Sequence, residues 1–219
     1  MRIEWYGQSA FDLAGRVFID PFFDVSGLEA RGWRFDYPAI EGVEPELLLV
    51  THEHRDHNGV EAIGGSPAVI RSTAGTLDSP VGEVVAVASE HDEAAGTQRG
   101  PNTIFVFTLD GLRIAHFGDF GQTALRDEQL DAIGQVDLVF VPIGDGVTIG
   151  AEQARAVVDQ LGARWAIPMH YRTPRISFLE TADAFLELFG DDVVRLDAPA
   201  FETADLPDGG PVAVVPAAP

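Results

Sequence analysis

The chain has 219 residues with no cysteine and no lysine, and its 14 arginines face 35 acidic residues for a formal net charge of −21. That length and a hydrophobic content of 46% suit a folded domain with a substantial core. The missing cysteines exclude disulfides, thiolate metal sites and thiol nucleophiles, so any metal must be held by His, Asp or Glu.

The negative charge repels phosphate backbones and disfavours nonspecific nucleic-acid binding. The lysine-free, acidic composition fits a salt-rich cytoplasm and equally a GC-rich genome. No apolar run approaches the roughly 20 residues that span a bilayer. The start, Met1-Arg2-Ile3-Glu4-Trp5-Tyr6-Gly7, lacks the layout of a signal peptide, which makes the cytoplasm the expected location.

Arg2 to Tyr6, Ser9 to Leu13 and Arg16 to Ile19 are short mixed runs separated by Gly7 and Gly15, a strand–turn–strand pattern. Asp20-Pro21 ends the third, since proline lacks the ladder donor. Residues 24–46 mix Gly, Pro and aromatics and are expected to form a long loop. Leu47-Leu48-Leu49-Val50 suits a strand buried on both faces. Thr51-His52-Glu53-His54-Arg55-Asp56-His57 follows at once, then Asn58 to Ile63 as a helix start. Strands are predicted at Ala68–Arg71, Val84–Ala88, Thr103–Leu109 and Leu112–His116, with a tight hairpin at Asp110-Gly111. Leu125–Ile133, Ala151–Leu161 and Phe178–Phe189 read as helices, the second stopped by Gly162. Leu138–Ile143, Trp165–Met169 and Val193–Leu196 read as strands, and a loose tail is expected from about Leu206. The chain, 1–219, is read as a single domain. Its unusual polar residues fall on loops after buried strands, the layout of a site built at strand ends.

Three of the 6 histidines lie within one short stretch, at His52, His54 and His57, with Asp56 among them. His91, His116 and His170 each follow or end an apolar run. In extended chain, residues i and i+2 point the same way, so His52 and His54 can bind one ion together. Asp56 and His57 come as the chain turns and can face a second. Such a cluster brings desolvated, mutually repelling groups together unless a cation compensates. Imidazole and carboxylate donors suit Zn²⁺, with Mn²⁺ or Fe as options.

His52-x-His54-x-Asp56-His57 resembles the H-x-H-x-D-H signature of the metallo-β-lactamase superfamily. Ser89-Glu90-His91-Asp92, His116-Phe117-Gly118-Asp119 and Ile167-Pro168-Met169-His170-Tyr171 are similar to the segments that supply its remaining ligands, in the same order. Arg99-Gly100-Pro101-Asn102-Thr103, the stretch from Asp137 through Ile143 and His170-Tyr171-Arg172-Thr173 resemble a branch of Zn-dependent hydrolases related to ascorbate-phosphate lactonase-like proteins. The resemblance implies an α/β, four-layer αββα sandwich. It implies two Zn²⁺ per chain, one on His52, His54 and His91, the other on Asp56, His57 and His170, with Asp119 bridging. Gln8 stands where relatives often have His, and Asp145 where they often have Gly.

Four further residues stand near this set. His116 is an alternative to His91 as ligand, an outer-sphere residue, or a packed strand-end histidine. Asp20 is either an acid that orients a ligating His or a plain turn aspartate. Tyr171 and Arg172 follow a ligand and could hold a substrate anion or simply face solvent. The expected activity is hydrolysis of a small-molecule ester, lactone or phosphodiester by a metal-bound hydroxide, with Asp56 and Asp119 steering it or taking its proton. Alternatives are a nuclease or cyclic-nucleotide phosphodiesterase, or a metal-binding protein without hydrolase activity whose pocket Asp145 or the 24–46 loop blocks. Expected partners are a small-molecule substrate, without membrane and without nucleic acid; a homo-oligomer is left open.

Overall fold

The N-terminal alternation folds into a meander. Strands β1 (Arg2–Gly7), β2 (Ala10–Leu13) and β3 (Val17–Ile19) pair antiparallel, setting Trp5 opposite Phe11 and Phe11 opposite Ile19. Strand β4 (Leu47–Val50) then lies parallel to β3, and β5 (Ala68–Arg71) parallel to β4. With β13 (Ala200–Glu202) on the far edge, the first sheet has the order β13-β1-β2-β3-β4-β5. The computed structural model describes every residue except 24, 26 and 28–31; part of the expected 24–46 loop therefore lies outside the described residues.

The second sheet comprises β6 (Gly75–Ser79), β7 (Gly82–Glu90), β8 (Pro101–Leu109), β9 (Leu112–His116), β10 (Leu138–Pro142), β11 (Trp165–Met169), β12 (Val193–Arg195) and β14 (Val212–Val215). Its order is β12-β14-β11-β10-β9-β8-β7-β6. Asp110 and Gly111 turn β8 into β9 with φ of 49° and 81°, the doubly positive pair that a two-residue hairpin with matching twist demands.

The two sheets pack face to face over one core, with the Phe11 and Phe140 rings 4.4 Å apart across it. Helices cover the outer face of the second sheet: α1 (Asp127–Ile133) lies on β7 and α2 (Ala151–Leu161) on β10, with α3 (Asp183–Glu187) against α2. Helix α2 buries Ala154, Val157, Val158 and Leu161, the stripe expected of an amphipathic helix. The first sheet's outer face is covered differently. Phe18 and Leu48 pack under Phe22 and, from the long loop, Phe35, Tyr37 and Ile40. This is the αββα sandwich, with loop and a 3₁₀ turn (Val60–Ala62) in its fourth layer.

Several expectations need correction. The helix expected to start at 58–63 is that single turn, and the helix expected over 178–189 contracts to α3. Strands β6 and β13 were not foreseen. The loose tail from about 206 is not loose: Leu206 is buried, and all four residues of β14 are buried between β11 and β12. The Pro- and Gly-rich flanks of Val212-Ala213-Val214-Val215 hide a run whose partners lie far away in sequence. No helix among the described residues is long and apolar enough to cross a membrane.

Candidate metal centre

Strands β3 and β4 run parallel, and β7, β9 and β11 share one direction because β8 reverses between β7 and β9 while β9, β10 and β11 are parallel. Their C-terminal ends deliver Asp20, the His52–His57 segment, His91, Asp119 and His170 to one edge of the sandwich. Two groups form there. In one, ligand atoms of His52, His54, His91 and Asp119 all lie within 4.8 Å of one another; in the other, those of Asp56, His57 and His170 do.

Asp119 reaches both. Its Oδ2 is 3.0 Å from His91 Nε2, 3.7 Å from His52 Nε2 and 3.3 Å from His170 Nε2, while its Oδ1 is 3.2 Å from His57 Nε2. Asp56 Oδ2 lies 3.7 Å from His57 Nε2 and 4.0 Å from His170 Nε2. His52 Nε2 and His54 Nδ1 face each other at 3.0 Å.

A buried shell sets which nitrogens point inward. The Asp20 carboxylate can only accept. It takes Thr51 N–H at 2.8 Å, Thr51 Oγ1–H at 2.7 Å and His57 Nδ1–H at 2.9 Å. Thr51 Oγ1, having donated its proton to Asp20, accepts from His52 Nδ1 at 3.1 Å. His52 and His57 therefore both turn an Nε2 lone pair to the centre. Asn102 anchors the other side. Its Oδ1 accepts from Asp119 N–H at 3.0 Å and its Nδ2 donates to Ser89 Oγ and Phe117 O. Gln8 Nε2 donates to Asp56 Oδ2 at 3.0 Å, so the residue in place of the relatives' His still touches the site. Gly118 permits this closeness: at φ 53°, an added Cβ would overlap Asn102 Oδ1 and Thr51 Oγ1.

The electrostatics show a site built for a cation. Burial raises the cost of an ionised Asp119, but His170, His57 and His91 outweigh it and hold the carboxyl well below its ordinary range. Burial would likewise depress His57; Asp119, Asp56 and Asp20 overcome it and push the imidazole well above its ordinary value. His52 has more like-charged neighbours, and burial together with His57 holds it well below. A protonated His57 would offset the Asp119 charge; with His57 neutral, its Nε2 and Asp119 Oδ1, buried 3.2 Å apart without a hydrogen bond, face each other as two lone pairs that a cation between them would satisfy. The donors are all imidazole nitrogen and carboxylate oxygen, which fits Zn²⁺, Mn²⁺ or Fe. The residues present thus fit a resident metal.

The other candidates divide. Asp20 accepts from His57 Nδ1–H at 2.9 Å, the contact of an acid that orients a histidine. His116 is fully buried with both nitrogens engaged: Nε2 donates to Ser9 O at 3.0 Å and Nδ1 accepts from Gly118 N–H at 3.2 Å. It is a packed strand-end histidine and stands outside both ligand groups. Tyr171 neither faces solvent nor reaches the cleft; it is buried and stacked on Trp5 at 5.6 Å. Arg172 is exposed and does not line the cleft either. The open volume over the ligands is about 570 Å³ and is bordered by Trp33, Arg55, Arg99, Val147 and Phe178 besides the ligands. Asp145 lies outside it, in an adjoining hollow, and the described residues of the long loop supply Val25, Gly27 and Trp33 as part of the wall. Thr51 and Arg55 stand in the histidine stretch and Arg99 and Asn102 in the 99–103 stretch, but nothing in their spacing marks a supporting or cleft residue.

Comparison with known proteins decides the family. The sequence pattern of the "Beta-lactamase superfamily domain" matches residues 2–170. The chain belongs to the metallo-β-lactamase superfamily. Among its relatives in that superfamily is a metal-dependent hydrolase of Methylobacterium nodulans, 32% identical, with 93% of this chain and 98% of that one covered. A metal-dependent hydrolase of Methanoculleus marisnigri is 31% identical over 79% of this chain and 82% of its own. A crystal structure from Thermotoga maritima, named as a Zn-dependent hydrolase of the superfamily, superposes with a TM-score of 0.76 at 28% identity and covers 98% of both chains. The link to ascorbate-phosphate lactonase-like proteins rests on the sequence resemblance alone.

Proposed function

We propose that this metal-dependent hydrolase works with two ions and cleaves a small-molecule ester, lactone or phosphodiester. His52, His54 and His91 would hold one ion, Asp56, His57 and His170 the other, and Asp119 both, with Zn²⁺ as the metal that best suits the donors. The observation that supports this reading is the gathering of seven His and Asp side chains into two groups that meet at Asp119. A metal pair bound there supplies activated water and a Lewis acid for the substrate oxygen.

The chain's own residues do the rest. Asp20 and Thr51 fix the tautomers of His57 and His52. Asp119, kept ionised by the histidines around it, holds the two groups in register. Asp56, half-buried at the cleft with Oδ2 steadied by Gln8, would take the proton of the attacking water and return it to the leaving oxygen. Water adds to the carbonyl or phosphoryl centre, the bond to the leaving oxygen breaks, and acid and alcohol result. The acidic surface favours a small substrate over polynucleotides, and the cytoplasm remains the location read from the sequence.

Metal analysis of protein purified in metal-replete medium, with assays on ester, lactone and phosphodiester substrates, tests this. About two ions per chain are expected, with turnover lost in His54→Ala. Less than one ion per chain under those conditions would refute it.

A further inference from the structure

Arg55 and Arg99 both border the cleft, from the histidine motif and from the loop after His91 respectively. Other arginines of this acidic chain, among them Arg16, Arg71, Arg126 and Arg155, sit within ion-pair distance of a carboxylate. Among the described residues, Arg55 and Arg99 have no such partner, although the chain carries 35 acids. Arg113, Arg172 and Arg195 also lack a carboxylate partner among the described residues, but of the unpaired arginines only Arg55 and Arg99 border this opening.

The loop that carries Arg99 is held rigidly for its length. The Asp92 carboxylate, directly after His91, accepts four backbone N–H groups, from Ala94 at 2.8 Å, Gly96 at 3.0 Å, Gln98 at 3.0 Å and Arg99 at 2.7 Å. Those bonds outweigh Asp92's own desolvation and hold its carboxyl below the ordinary range. The Arg99 backbone is thereby fixed relative to a ligand histidine. Across the opening the wall is apolar: Trp33 stacks on Phe178 with ring centroids 4.7 Å apart, and Val147 lies beside them. The cleft thus has three chemical zones: the His/Asp centre, two free guanidiniums and an aromatic face.

We propose that the substrate is an anion with an apolar body, carrying a carboxylate or phosphate set apart from the bond that is cleaved. Arg55 and Arg99 bind that anionic group, and the Trp33–Phe178 face takes the apolar portion. Guanidinium suits this task because its fork matches carboxylate and phosphate oxygens. The pair also supplies local attraction where the net charge of −21 would otherwise repel an anion. Asp92 acts as a positioning residue for Arg99. This inference rests on the hydrolase reading for the identity of the cleft, and the test is a binding measurement so that the two can fail separately.

The probes are 4-phenylbutyrate and its neutral isostere 4-phenylbutyramide, titrated calorimetrically into metal-loaded protein. The wild-type chain is expected to prefer the carboxylate by about tenfold or more, the size of charge-assisted hydrogen bonds. The Arg55→Ala, Arg99→Ala double variant should lose about tenfold of that preference with its metal content unchanged. Arg16→Ala, which removes an exposed arginine paired with Glu46 away from the cleft, should keep it. Equal binding of acid and amide by the wild-type chain would overturn the proposal. So would a preference that survives in the double variant, since the centre alone would then account for it. Loss of metal or turnover in His54→Ala bears on the hydrolase reading and leaves this comparison intact.

Discussion

Asp20→Asn keeps the shape of a fully buried side chain and changes one acceptor into a donor. In the native protein, Oδ1 takes Thr51 N–H and Oδ2 takes both Thr51 Oγ1–H and His57 Nδ1–H. The Thr51 amide has no other partner, so the asparagine oxygen must stay there. The new NH₂ then faces His57 Nδ1, which can only accept from it. The imidazole proton moves to Nε2 and removes the lone pair that faces Asp119 and Asp56. Loss of such an outer partner weakens metal binding by about 10- to 100-fold, or about 1.4 to 2.8 kcal/mol. The loss should fall chiefly on the ion of the Asp56–His57–His170 group. The His52 group, reached only through Thr51 Oγ1, should lose less. Competition titration with a chromophoric chelator resolves two affinities, and nitrogen-15 shifts of the histidine rings report the tautomer. Wild-type affinity for both ions, or a variant in which His57 keeps its proton on Nδ1, would refute the argument.

Asn102→Ala removes three hydrogen bonds from a buried side chain and frees the Asp119 backbone. It should destabilise the fold by about 2 to 4 kcal/mol in chelator and reduce metal content, read by denaturant titration and metal analysis. The Glu53 carboxyl, between two ligand histidines but turned to Arg71, is lowered from its ordinary 4.5 to about 2, chiefly by its bond to Arg71 and then by Ser72 and Asn58. Because the folded value is depressed, its stabilising contribution is complete above about 4.5 and is lost as the pH falls through about 2. Carboxyl NMR titration should show this, and Arg71→Ala should return the value towards 4.5. Deleting residues 206–219 removes β14 from between β11 and β12; the shortened chain should fail to give a cooperative thermal transition by circular dichroism, whereas a loose tail would leave it unchanged.

Most of the strand pattern was legible in the sequence, as were the histidines and acids that the fold gathers at one edge. Leu47–Val50, Leu138–Pro142 and Trp165–Met169 are continuous apolar runs because both faces of those strands are buried. Asp110-Gly111 marked its hairpin because few residues tolerate positive φ at both turn positions. The ligands stood out because histidines and acids are concentrated where the apolar runs stop. That concentration also carried the family.

Tertiary structure decided everything that depends on a partner distant along the chain. The polar segment around His91 favours it over His116 as a ligand, but the role of His116 is settled only when the Ser9 carbonyl, from a distant part of the chain, takes its Nε2–H beside the local Gly118 bond. Thr51 and Asn102 look like ordinary polar residues until Asp20 and Asp119 arrive beside them. Tyr171 follows His170 in sequence yet turns into the core against Trp5, because the chain changes direction at His170, whose φ is 51°. Arg55 and Arg99 face one opening because β4 and β7 end at the same edge, and the Val212–Val215 run became a buried strand because β11 and β12 leave a gap of one strand's width between them. A sequence records which groups are present and their local geometry; hydrogen bonding and burial are set by what the fold brings alongside.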